Sequence, residues 1–264
     1  MKQFLFIKHL SMCFCLAALM LCSCDNEEDF DEIYGSGCPL AENIIPYSGY
    51  QYEYNEKGLV TKISRIDNSQ DDNGMTKTQL VTVATVSYPQ NDRAVMVCSG
   101  SLGTATYTFA FGENHFANRV IETDVDGESG MIKYHYDNEG HVTNIDVWGE
   151  DFLEMEWTNG NLTKIKQDEG DATAVLTYSN MTNFATYGMS PFLLGVNFES
   201  MYSLEWWYED LRYALYIGFL GKPCRNLPET ISFFDKDNKT PRRRYFQYTD
   251  YNDGSGSWSL GTEP

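Results

Sequence analysis

Two histidines flank a single turn: His135 and His141, with Asp137 between them. If Asp137 pairs with His141, the three side chains could share one face, a donor set that suits zinc or copper. The alternative is a solvated hairpin that these residues merely decorate, and on that ground no metal site is expected. Asp67-Asn-Ser69-Gln-Asp71-Asp-Asn73-Gly74 has the look of a calcium loop. It places Asp72 where such a loop needs Gly and Thr78 where it needs a closing Glu, so it reads as an Asn/Asp-rich turn. Arg242-Arg243-Arg244 is the one basic run. On a strand its members alternate faces and pair with neighbouring acids. Trp148, Trp206 and Trp207 are candidate ligand-binding rings, since aromatic faces stack on sugars, but packing in the core is the default reading for them.

No nucleotide-binding glycine loop, no Gly-x-Ser-x-Gly elbow and no His-Glu-x-x-His occurs. Catalytic residues and cofactors are therefore expected to be none. Paired carboxylates of the kind that hydrolyse glycosides remain an alternative, because sequence fixes neither their separation nor their burial. Of the 264 residues 38 are acidic and 19 basic, a formal net charge of −19. That balance excludes a general nucleic-acid binder, whose affinity for phosphate comes from Lys and Arg. It equally excludes basic adhesion to anionic lipid.

Met1–Ser23 reads as a signal to be removed. Lys2 and Lys8 precede the apolar run Leu10–Leu21, which is too short to span a bilayer. Leu21-Cys22-Ser23-Cys24 resembles a bacterial lipobox, in which Cys24 would be diacylated and become the first residue. No transmembrane span then remains after processing. Asp25-Asn-Glu27-Glu28-Asp29-Phe-Asp31-Glu32 follows at once, as a solvated tether or, by resemblance, as the export signal of surface lipoproteins in Bacteroides-like bacteria. Of the seven cysteines, Cys38, Cys98 and Cys224 survive as ordinary residues. An odd number allows at most one disulfide, and no Cys-x-x-Cys is left among them.

The body repeats one pattern. Tyr52-Glu-Tyr54-Asn-Glu-Lys-Gly58-Leu-Val60-Thr-Lys-Ile63 is echoed by Tyr134-His-Tyr136-Asp-Asn-Glu-Gly140-His-Val142-Thr-Asn-Ile145. A shorter copy is Glu156-Trp157-Thr-Asn-Gly160-Asn-Leu162-Thr-Lys-Ile165, and degenerate ones surround Tyr88 and Phe111. Each reads as a strand ending in an aromatic, an Asn/Asp turn closed by Gly, and a β-branched strand start. Apolar residues stand two and five positions after each Gly. That spacing breaks the period-two rule unless the strand bulges, so both faces are apolar or the sheet is bulged and coiled. The fold class expected is mainly β: an antiparallel meander of hairpins forming a strongly curved sheet or half-barrel. One helix near 203–217 carries Leu204, Trp207, Leu211, Ala214 and Leu215 on one face, with Gly221 and Pro223 as its stop. The domain division is 1–23 signal, 24–48 tether and linker, 49–258 a single β-rich domain, and 259–264 a tail.

The lipobox, the Tyr-x-Tyr-Asn/Asp-x-x-Gly hairpins and Gly218-Phe-Leu-Gly221-Lys-Pro-Cys-Arg-Asn226-Leu227-Pro228 together resemble a Bacteroidetes lipoprotein family. That family is known as a domain of unknown function with a porin-like fold, and tyrosine-aspartate repeat proteins carry similar hairpins. The resemblance implies many antiparallel strands curved like barrel staves. It does not imply a channel, because Lys62, Lys164 and Lys166 interrupt the sustained apolar alternation of a membrane barrel. The expected role is non-enzymatic binding or scaffolding at the outer membrane, on the cell exterior. The lipid bilayer and a glycan or surface protein are the expected partners. A polysaccharide hydrolase and a purely structural envelope component are the alternatives.

Overall fold

A computed structural model describes residues 37–44, 49–70, 76–100, 103–124, 126–147, 149–167, 172–183, 205–235, 241–250 and 256–261. All lie in one compact unit, Tyr34–Pro264. Cys24 and Trp148 lie outside the described residues, as do the side chains of Trp206 and Trp207.

The strands are β1 (Tyr50–Tyr54), β2 (Val60–Gln70), β3 (Thr76–Gln90), β4 (Arg93–Gly100), β5 (Gly103–Phe111), β6 (Ala117–Thr123) and β7 (Ser129–Tyr136). They continue as β8 (Val142–Val147), β9 (Glu150–Thr158), β10 (Asn161–Gln167), β11 (Ala172–Thr182), β12 (Asn226–Asp235), β13 (Arg242–Asp250) and β14 (Gly256–Gly261). Every strand pairs with its predecessor, so the fourteen form one antiparallel sheet in sequence order. Among the described residues β1 and β14 do not meet, and the sheet is open. Asp67–Gln70, the start of the calcium-like stretch, continues β2. There Asp67 binds Arg65 at 2.7 Å, and Asn68 accepts from the Thr78 hydroxyl at 2.7 Å.

The spacing after each turn glycine resolves into bulges. Glu53 faces Lys62 while Tyr54 faces Val60, leaving Thr61 as the extra residue. The same shift leaves Asn118, Thr143 and Thr163 extra in β6, β8 and β10. An extra residue restores the phase of the alternation. Val60 with Ile63, Val142 with Ile145 and Leu162 with Ile165 are accordingly all buried on one face. Each bulge also presents a backbone carbonyl, and the aromatic ending the next odd strand claims it. Tyr88 donates to Val60, Tyr136 to Ala117, Trp157 Nε1 to Val142 and Tyr178 to Leu162, at 2.6–2.8 Å. Tyr248 donates likewise to Pro228 at 2.5 Å.

The long connection from β11 to β12 carries the single α-helix of the described residues, α1 (Glu205–Tyr216). Phe219 N–H donates to Ala214 and Gly218 N–H to Leu215, with Gly218 at φ 76°, which is a Schellman cap. The helix therefore stops at Gly218, three residues before the expected Gly221, because Gly218 is the first residue able to take the left-handed conformation. Leu211 and Ala214 are buried, and they join Phe219, Leu220 and Cys224 in one core with β2 to β13. Curvature follows from distance. In a flat sheet β3 and β11 would stand about 38 Å apart. Yet Phe219 packs on Tyr88 of β3, Cys224 on Tyr178 of β11, and both join one buried core with residues from β2 to β13. The sheet coils around the helix and the strap 217–226 that follows it. Among the described residues no helix is long and apolar enough to cross a membrane.

Candidate functional site

The hairpin turns at 55–59, 91–92, 112–116, 137–141 and 159–160 share one end of the sheet with the α1 connection. Two segments cross that end. The strap 217–226 is locked by backbone: the Phe219 carbonyl accepts from Ala117, while Lys222 N–H donates to Gly140 and Arg225 N–H to Gly160. Phe219 packs edge-on against Phe109 at 5.1 Å and Phe111 at 4.8 Å. The second segment is Gly37–Ile44, which the sequence placed in the linker and which lies against the turns. His115 Nδ1–H donates to the Cys38 carbonyl at 3.0 Å.

Between these segments lies a cleft of about 710 Å³. Its walls are Leu40, Glu42 and Asn43 from the N-terminal segment, Glu113, Asn114, Phe116 and Asn118 beside the β5–β6 turn, Tyr134 to Gly140, and Lys222 from the strap. Asn118 is the bulge residue of β6. Its side chain lies over Gly112, where a Cβ would collide with it, and its Oδ1 is buried without a hydrogen bond. Phe116 stacks on Tyr136 at 5.4 Å, and burial holds the Tyr136 hydroxyl well above the usual phenol range.

Asp137 opens the β7–β8 turn. Its Oδ1 accepts from the backbone of Glu139 at 2.8 Å and of His141 at 2.9 Å, and its Oδ2 from His141 Nδ1–H at 3.0 Å. Partial burial pushes the Asp137 carboxyl up, but the His141 backbone and ring and the Glu139 amide outweigh it and hold the carboxyl below its ordinary value. His141 itself is buried, stacked on Trp157 at 4.4 Å. His135 instead binds Asp146 on β8 at 2.8 Å. The pairing of Asp137 with His141 is thus present, but His135 has a different carboxylate and does not join them. Among the described residues no group of three His, Cys, Asp or Glu side chains could hold a metal ion.

Among the described residues Cys38, Cys98 and Cys224 form no disulfide with one another. Cys224 accepts from Leu162 N–H and touches the Tyr178 hydroxyl at 3.3 Å, and burial pushes its thiol up to about 12. Arg243 bonds Ser232 at 3.3 Å rather than an acid. Sequence reasoning missed Asn118 and Lys222. Their signals were the β-bulge and a strap whose neighbours are remote in sequence.

The family described as "Domain of unknown function (DUF4595) with porin-like fold" matches residues 52–256. The chain belongs to that family. Its fold resembles the crystal structure of a porin-like protein from Bacteroides uniformis, at TM-score 0.54 and 19% identity over 78% of this chain and 79% of that one. A porin-like protein from Bacteroides vulgatus aligns at TM-score 0.40 and 12% identity, over 83% of this chain and 99% of that one. No curated protein matches.

Proposed function

We propose that this member of the porin-like family is an outer-membrane lipoprotein, anchored through Cys24 with its domain on the cell exterior, that binds a glycan without transforming it. The lipobox and the acidic run after Cys24 support the anchor and the exterior face. The cleft over the hairpin ends carries the binding reading. About 710 Å³ suits a small ligand. Its lining of amides and carboxylates accepts from sugar hydroxyls, and the orphaned Oδ1 of Asn118 is an acceptor awaiting a donor. Asp137, committed to three donors and held low, is an ionised acceptor rather than the raised carboxyl that protonates a glycosidic oxygen. The coiled sheet packs its inner aromatics against α1 and the strap, so they serve the core and the cleft is left as the site.

A glycan array with the purified mature protein tests this. Binding without product release, lost in Asn118→Ala and Glu113→Gln, is the expected result. Turnover abolished by one carboxylate substitution would establish the hydrolase instead, and silence in both assays the structural role. Palmitate labelling lost in Cys24→Ala checks the anchor. Removal of the domain by protease from intact cells checks the exterior face.

A further inference from the structure

The two segments crossing the hairpin ends are held in different ways. The strap gives its backbone to Ala117, Gly140, Gly160 and Asn183, and its Phe219 ring to three aromatic rings on β3 and β5. Gly37–Ile44 gives almost nothing of that kind. Among the described residues its backbone N–H groups bond only within the segment, from Asn43 to Leu40 and from Ile44 to Ala41. Its single turn of 3-10 helix, Ala41–Asn43, has no buried residue. What seats it is contact. Gly37 lies so close to Gly112 that a Cβ would collide with the carbonyl, and Asn43 stands as close to Gly218. Ala41 touches the space beside Gly58, Pro39 is buried, and the Cys38 carbonyl accepts from His115. Open volume remains on both sides: the cleft of about 710 Å³ and a second of about 550 Å³, with Leu40 in the wall of each.

A segment whose only regular structure is one 3-10 turn, seated among the described residues by shape and one side-chain hydrogen bond, is bound as a peptide ligand is bound. We infer that the hairpin-end groove is a peptide-binding groove whose resident occupant is the chain's own Gly37–Ile44, and that the same sequence offered in trans takes the groove once the resident is displaced. Pro39 favours this, since its fixed φ lowers the ordering cost of an extended ligand. The inference does not depend on the glycan reading, and each can fail while the other stands.

The experiment uses the mature lipoprotein in detergent and a fluorescein-labelled synthetic peptide of residues 37–44. Gly37→Val displaces the resident through the Gly112 carbonyl. A tethered occupant competes at millimolar effective concentration, so fluorescence anisotropy should show the variant binding the peptide at least about tenfold more tightly than the wild type. An Asn43→Ala peptide should bind no better than the natural one. Cys98 and Cys224, both buried, must stay unreactive towards a thiol reagent, which certifies the fold. Where they react, Pro39→Asp, which burdens the tethered segment and leaves the groove intact, replaces Gly37→Val and is read in the same way. A folded variant that binds the peptide no more tightly than the wild type overturns the inference.

Discussion

Asp137 lends its charge to the β7–β8 turn, and the sign of that contribution follows from its carboxyl. A carboxyl lower in the folded than in the unfolded chain stabilises the fold above its ordinary value, and that stabilisation is lost as pH falls through the folded value. Asp137→Asn, which keeps an acceptor but not the charge, should melt below the wild type at neutral pH. The gap should narrow as pH drops below about 3.8, read from melting curves across pH. Tyr178→Phe tests the aromatic-to-carbonyl bonds. It strands the Leu162 carbonyl and removes the neighbour of the Cys224 thiol, at a cost of about 1–3 kcal/mol by chemical denaturation. The Asp137–His141 pair was legible from spacing alone, because both belong to one short turn. The partner of His135 was not. The bulge at Thr143 shifts the register, so His135 faces Asn144 and reaches Asp146, two residues farther along β8.

The hairpin is the unit in which this sequence is written, and its parts are separately readable. Asn55 and Asp137 each accept from two backbone N–H groups of their own turn, and the backbone closes the turns at 55–59 and 137–141 in the same way. Asp124 builds the same turn at 124–128, at the other end of the sheet, a copy the repeat pattern did not reveal because no aromatic strand end precedes it. Gly140 is fixed twice, by φ 91° and by the Phe116 ring, 2.6 Å from where a Cβ would stand. Gly140→Ala should therefore cost about 1–3 kcal/mol, measured as a shift of the denaturation midpoint. The bulge predicts a stronger contrast. Deleting Thr143 turns Ile145 and Val147 to the wrong face and should abolish folding, whereas Thr143→Ala should fold with a native circular-dichroism spectrum. The two-and-five spacing left two readings, apolar residues on both faces or bulged strands, and the burial of both residues on one face decides for the bulges.

At the scale of the whole molecule, β2 to β13 share one core because α1 and the strap lie inside the coil. Phe219 is the side chain where this is most concentrated, touching β3 and β5 at once. Phe219→Ala should destabilise the protein by about 3–5 kcal/mol, visible as a lowered melting temperature with loss of near-ultraviolet signal. That arrangement was hidden from the sequence. The helix and the Asn-Leu-Pro run were visible, but nothing local states that residues 219–225 lie beside turns some 60–130 positions earlier. The strict sequence order of the strands has a consequence in time. Each new strand finds its partner already made, so the sheet can lengthen from β1 as the chain emerges, with short loops to close. Its inner face has no cover until residues 205–226 arrive, after eleven strands. A chain halted before them would hold its hydrogen-bonded ladder yet present bare aromatic rings, so the inner face of the sheet depends on the last quarter of the chain for its cover.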